Sequence, residues 1–221
     1  MHDGLHQKEA FVAQQERARA TRATVIEGAA RTFETVGYGN ASLADIAEAA
    51  SVTKGALYFH FKSKEDLAKA VIAEQHSRVR STSEPILAGG YTPLTTMVLL
   101  CRHFAGQLTA DPVVRAGIRL TLEASAFGGS VKDPYEDWVS TMEQLTAQGQ
   151  DQDEINPDIE AEVLARFVVA AFTGVQLVSD VLTARTDLLK RVDDMWMILL
   201  PVLSSSQDTR DSISEMMGSS A

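Results

Sequence analysis

The sequence predicts an all-α chain, and three observations lead there. Apolar residues recur at helical spacing along most of it, no segment sustains a period-2 alternation, and Pro or an N-capping residue stands before most apolar runs. Residues 1–14 are polar and aperiodic, so a disordered tail is expected there. From Arg17 a helix follows, with Val25, Ala29, Phe33 and Val36 in one apolar stripe. It ends at Gly37, which tolerates the left-handed conformation common at helix C-termini. Ser42 is an N-cap, and Asp45 three residues on completes a capping box with a shorter acid. A short helix over Leu43 to Ala50 results. Ser51-Val52 makes a turn, Thr53 caps a second short helix over Lys54 to His60, and Ser63 caps a long one over 64–88. Glu65 and Asp66 suit the N-terminal dipole of that long helix.

Gly89-Gly90 and Pro93 break the chain, and further helices are expected at 93–109, 112–126, 134–149, 157–184 and 186–203. Pro112, Pro134 and Pro157 each stand just inside one of these starts. The acidic run Gln150 to Glu154 is a loop, and residues 206–221, rich in Ser and Asp, are expected to be disordered. The expected organisation is a three-helix unit at 15–63 and a larger helical body at 64–205, with the boundary inside the long helix.

Composition narrows the function classes. The 221 residues are 45% hydrophobic and 23% charged, the mix of an ordinary globular chain. No run approaches the ~18 consecutive apolar residues of a membrane span; the longest, Phe167 to Ser179, lies between Arg166 and Asp180. The N-terminus lacks the apolar segment of a signal peptide, so a cytoplasmic protein with no membrane partner is expected. Cys101 is the single cysteine, which excludes an intrachain disulfide and a cysteine-based zinc cluster. Neither a phosphate-binding Gly-rich loop nor a Ser nucleophile motif is present. Cys101 and His103, two apart on a helix, do not share a face. Glu123, Asp133, Glu136 and Asp137 have no histidine beside them and read as solvated acids. Neither an enzyme nor a bound metal or cofactor is expected.

Charge is distributed unevenly. The net charge is −10, yet residues 1–80 hold 11 Lys+Arg against 10 Asp+Glu, and residues 17–64 hold 7 against 4. A basic segment on an acidic chain points to a nucleic-acid partner. The same segment holds two short helices joined by a three- or four-residue turn behind a supporting helix, which is a helix-turn-helix pattern. Ile46, Val52 and Leu57 fill its small core, and Ala47 is small where helices cross. The second helix of such a motif lies in the major groove. Its candidates for base edges are Thr53, Lys54, Gly55, Tyr58 and His60, Lys54 as a donor to guanine O6 or N7. Arg22, Ser42, Lys62 and Lys64 are candidates for phosphates, which fix register. Tyr58, Phe59 and Phe61 have a second reading as core aromatics, the one assigned to Phe61.

The stretch from Ser42 to Glu65, SLADIAEAASVTKGALYFHFKSKE, resembles the DNA-binding region of the TetR family of repressors. Val52 to Phe61 (VTKGALYFHF) with the following Lys64, Glu65, Asp66 and Leu67 resembles more narrowly the actinobacterial γ-butyrolactone receptor branch. The resemblance is dense over residues 20–75 and continues sparsely through Asp111 to Gly117, Tyr135 to Trp138 and Phe172 to Gln176. One departure is Ser51, which stands where the family has glycine in the turn. The strain of a non-glycine residue at positive φ is on the order of 1 kcal/mol.

The body carries two wide apolar helices. From Val163 to Leu182 only Arg166 and Asp180 are charged, and the final helix presents Leu188, Leu189, Val192, Met195, Trp196, Leu199 and Leu200. A helix apolar nearly all round must be covered on every side. A self-complementary face closing a two-fold homodimer meets that need, the alternative being one central helix buried in a monomer. The resemblance implies the same four-helix interface. Two symmetric recognition helices read an inverted-repeat, double-stranded operator with half-sites about 34–36 Å apart or a multiple of it. Trp138, with Met142 and Leu145 on its face, and Thr173 and Gln176, polar within an apolar helix, are candidates for a ligand pocket. Trp138 as core and Thr173 as a back-bonding residue is the competing reading. The resemblance implies that Gln75, Trp138 and Thr173 contact a lactone or butenolide signal. The expected function is therefore a repressor released by a small apolar ligand, controlling secondary-metabolite (antibiotic) genes. A pseudo-receptor sensing another ligand, or a ligand-independent DNA-binding protein, are the alternatives.

Overall fold

The computed structural model of the protein describes residues 3–124, 132–204 and 206–218. Among these residues there are ten helices and no strand. They are α1 (Asp3–Asn40), α2 (Leu43–Ala49), α3 (Lys54–His60), α4 (Lys64–Leu87), α5 (Pro93–Ala110), α6 (Pro112–Leu122), α7 (Asp133–Asp151), α8 (Ala161–Thr183), α9 (Leu188–Leu203) and α10 (Gln207–Gly218).

Two compact units share this chain. The first contains α1, α2, α3, α4 up to Arg78, and α6; the second contains α4 from Val79, α5, and α7 through α10. The division falls inside α4, between Arg78 and Val79, and α6 joins the N-terminal unit rather than the body. Its polar face explains this. The Arg115 Nε lies 2.5 Å from the Glu34 carboxylate, Arg119 Nη1 donates to the Glu34 carbonyl (2.6 Å), and Glu123 Oε2 accepts from the Tyr38 N–H (2.8 Å). These groups grip α1 where it kinks at Gly37, whose φ is 76°. Orphan carbonyls at a helix end need such donors.

The first unit buries Val25, Ala29 and Phe33 of α1 with Ile46, Leu57 and Leu67. The closest backbone approach is at Gly28, where an added Cβ would lie 2.6 Å from Ala50 Cβ and 2.7 Å from its backbone. The caps form as the sequence dictates. Ser42 and Asp45 make the reciprocal capping box, Thr53 Oγ1 accepts from the Ala56 N–H (3.1 Å), and Ser63 Oγ from the Asp66 N–H (3.0 Å). Ser51 takes φ 54° in the turn. Ser51→Gly is therefore expected to stabilise this unit by about 0.5–1 kcal/mol, seen as a Tm rise of a few degrees.

In the second unit α5 is central, burying Met97, Cys101, Ala105 and Leu108, with Val168 and Phe172 of α8 and Val192, Trp196 and Leu200 of α9 around it. Arg102, buried, is paired with Asp193 across α5 and α9.

Three segments depart from expectation. Residues 3–14 are helical rather than disordered, consistent with their Gln, Lys, Glu and Ala content. α8 starts at Ala161, not at Pro157, because Asn156 and its neighbours are held in a non-helical link. There the Asn156 N–H donates to the Leu203 carbonyl (2.7 Å), and Gln150 Nε2 donates to the carbonyls of Asn156 (3.1 Å) and Ile159 (2.7 Å). Residues 207–218 form α10 instead of a disordered tail. Ile213 and Met217, one turn apart, are buried, and Arg210 Nη1 donates to the Ser204 carbonyl (2.5 Å). The end of the expected 112–126 helix past Ala124 lies outside the described residues.

Candidate functional site

α3 has one buried side chain, Leu57; Ala56 and His60 are half-buried and the rest are exposed. Thr53, Lys54, Gly55 and Tyr58 are exposed together, and an added Cβ at Gly55 would meet only Thr53 Oγ1, at 3.9 Å. Nothing within the protein therefore requires a glycine there. Arg22 and Lys62 are exposed near the end of α3, the Arg22 guanidinium 5.3 Å from the Phe61 ring centroid. Phe61 is buried, as assigned. Ser42 is exposed, but its hydroxyl donates to Asp45 Oδ2 (2.7 Å).

Lys64 leaves the phosphate set. Its ammonium donates to the carbonyls of Tyr38 (2.7 Å), Gly39 (3.3 Å) and Ala41 (3.0 Å) and sits 4.4 Å from the Tyr38 ring centroid. An ammonium has three donors, and all three go to the link between α1 and α2. The lysine fixes that link and has no donor left for DNA. Sequence spacing could not show it, because the acceptors are backbone atoms about 25 residues upstream. His60 is half-buried, its ring between those of Phe59 and Phe61. Phe59, with a core reading on sequence, is 80% exposed.

The grip of α6 on α1 has an electrostatic signature. Burial pushes the Glu123 carboxyl upward, but hydrogen bonds from Arg119 and the Tyr38 N–H, with the Arg119 charge, hold it below its ordinary value overall. A depressed folded value means that the contribution is complete above the unfolded pKa, about 4.3. It is lost as pH falls through the folded value. Thermal melts from pH 6 to pH 3 should therefore show a Tm loss in the wild type that is smaller in Glu123→Gln.

In the second unit Phe104, Trp138 and Phe172 form a ring cluster. Phe104 stacks on Phe172 at 5.3 Å, and Trp138 stands edge-on to both at 5.1 and 4.9 Å. Gln176, one turn after Phe172, is 2% exposed, and its Oε1 has no hydrogen-bond partner. A buried acceptor left unpaired is costly. Thr173 donates to the Val169 carbonyl (2.8 Å), the back-bonding arrangement. Gln75, in the first unit, is also buried with an unpartnered Oε1, and packs so close to Gly117 that a Cβ there would lie 2.4 Å from Gln75 Cβ.

The second unit leaves an apolar face on α8 and α9. Phe167, Val178, Val181 and Leu182 are exposed along α8, and Met197, Ile198 and Val202 along α9. A groove between them is lined by Ala171, Gly174, Val175 and Leu199. By length and composition α8 could cross a membrane, but its inward face is packed in the helical core.

Among the described residues no group of His, Cys, Asp and Glu side chains is arranged to hold a metal ion. Burial pushes the Cys101 thiol up to about 12, although a hydrogen bond with Trp196 acts the other way. The thiol is inert at neutral pH.

Comparison with known proteins matches this architecture. Residues 25–71 match the model of bacterial regulatory proteins of the tetR family, and residues 91–204 match the tetracyclin repressor-like C-terminal domain. The A-factor receptor protein of Streptomyces griseus is 38% identical over 193 residues, 87% of this chain and 67% of that protein. A crystal structure of a gamma-butyrolactone receptor (ArpA-like protein) is similar with TM-score 0.78 and 29% identity, over 93% of this chain and 100% of that one. CprB of Streptomyces coelicolor in complex with its biological operator sequence is similar with TM-score 0.74 and 29% identity, over 92% and 97%. With a helix-turn-helix head, a helical body and these relatives, the chain belongs to the TetR family of transcriptional regulators and is related to the γ-butyrolactone receptors.

Proposed function

We propose that this protein is a cytoplasmic repressor that binds an inverted-repeat operator as a homodimer. A small apolar lactone, butenolide or furan releases it, and the genes it controls belong to secondary metabolism. The DNA half of this reading is supported by the exposed face of α3, with Lys54 and Tyr58 reading base edges, Thr53 beside them, and Arg22, Ser42 and Lys62 on phosphates. The homodimer is supported by the matching apolar faces of α8 and α9.

One observation carries the ligand half: Gln176 Oε1 is buried and unpaired one turn from Phe172 in the Phe104–Trp138–Phe172 cluster. An apolar ligand bearing a hydroxyl would cover the rings and donate to that oxygen. Thr173 has its hydroxyl proton committed to Val169 and can only accept. The relatives support the ligand class, and the resemblance separately implies a ligand contact by Gln75, tested by Gln75→Leu.

Ligand and operator would weaken one another reciprocally, with a coupling of roughly 5–150-fold. Fluorescence anisotropy on an operator duplex, titrated with a panel of lactones, butenolides and furans, tests this. At least one is expected to raise the operator Kd within that range, and Trp138→Ala and Gln176→Leu should abolish the effect while leaving ligand-free Kd unchanged. If no compound changes the Kd, the ligand half fails and the DNA half stands.

A further inference from the structure

Phe59 sits at the middle of the outward face of α3, and we infer that it reads the 5-methyl group of a thymine on the floor of the major groove. The inference rests on the DNA-binding reading above and adds to it a residue that fixes sequence preference.

Residues in an α-helix follow one another by about 100°. Leu57 is the core-facing residue of α3, so Gly55 and Phe59, two positions before and after it, point most directly away from the core. Tyr58 and Lys54 lie on one flank, Ala56 and His60 on the other. A helix lying in a groove brings the centre of its outward face nearest to the base edges. At that centre the chain has no side chain at Gly55 and a bare phenyl ring one turn on.

The ring is 80% exposed, against 53% for the amphipathic Tyr58 beside it. It is held in place all the same, because the half-buried His60 ring stands edge-on to it at 5.1 Å and 88°. His60 is thus a positioning residue. A phenyl ring has neither donor nor acceptor. Every base edge in the major groove is polar except for one feature, the thymine C5-methyl. Against a cytosine amine or a guanine carbonyl the ring would displace water and return no hydrogen bond, which is unfavourable. Against a thymine methyl it buries apolar surface on both sides.

The test uses the full-length protein and an inverted-repeat duplex selected by the wild type from random sequence. Each thymine of the half-site is replaced in turn, in both halves, by deoxyuridine, which lacks only the methyl. At one position the wild type should lose about fourfold per half-site, or about fifteenfold for the symmetric pair. Phe59→Ala should lose a similar factor on the thymine duplex and be indifferent to deoxyuridine there. Phe59→Leu should recover part of the loss and part of the discrimination. His60→Ala should weaken discrimination at that same position and no other. Equal Kd values for wild type on thymine and deoxyuridine at every position overturn the inference, as does a deoxyuridine response that survives in Phe59→Ala, or a selected half-site lacking thymine. A wild type that selects no duplex at low ionic strength removes the DNA-binding reading itself, and the inference with it.

Discussion

Replacing Val181 or Ile198 by glutamate is expected to yield a folded monomer whose operator affinity has fallen by at least about a hundredfold. These side chains are 84% and 74% exposed in the single chain, so a carboxylate there meets water and disturbs no packing within the subunit. Across a two-fold interface built on this face each carboxylate would lose its water, which is costly. Two head units held together gain a factor of about 10²–10⁴ over one, through the effective concentration of the second half-site. Sedimentation velocity at micromolar protein, circular dichroism and operator anisotropy together make the measurement. A variant that remains dimeric and binds normally would place the interface elsewhere.

Gly28→Val is expected to cost the first unit about 3 kcal/mol or more, the upper end of overpacking, and with it operator binding. Its Cβ would fall within 2.7 Å of the Cα and N of Ala50. These are backbone atoms at the C-cap of α2, and they cannot turn aside as a side-chain tip would. α2 must then move off α1 and carry the turn and α3 with it. Denaturant unfolding should show the loss, and proteolysis should open the head before the body. The neighbouring Ala29→Gly removes a methyl without adding any overlap, and its smaller loss is the comparison that separates overlap from helix weakening.

The sequence carried the helices well, because capping residues are local chemistry. Ser42, Thr53 and Ser63 each bond within three residues of themselves, and Gly37 and Ser51 take the left-handed geometry that their positions in the chain demanded. Orientation inside short elements was less legible. A helix of seven residues such as α3 contains barely two turns, too few for periodicity to separate an aromatic that packs, like Phe61, from one that does not, like Phe59. Lys64 misled because charge suggests a surface partner, whereas its partners are carbonyls brought near only by folding. In α10 the signal was present as Ile213 and Met217 at helical spacing, but the Ser and Asp around them gave the tail a disordered composition. Among the candidate ligand residues, Gln176 stood out in the sequence as a polar group within an apolar helix, yet only the fold shows that its oxygen has no partner.

The clasp of Arg115, Arg119 and Glu123 on the kinked end of α1 has a practical corollary for dissecting the molecule. The N-terminal third, which looks like a free-standing module when written as a line of letters, borrows a wall from a stretch more than thirty residues past the point where α4 leaves it. A fragment ended near Arg78 would keep all of α3 and discard that wall, exposing the apolar side of α1 and stripping the donors from its bend. Excising the head by truncation should accordingly produce an insoluble or unfolded peptide, whereas joining α4 to α6 through a short linker should preserve it.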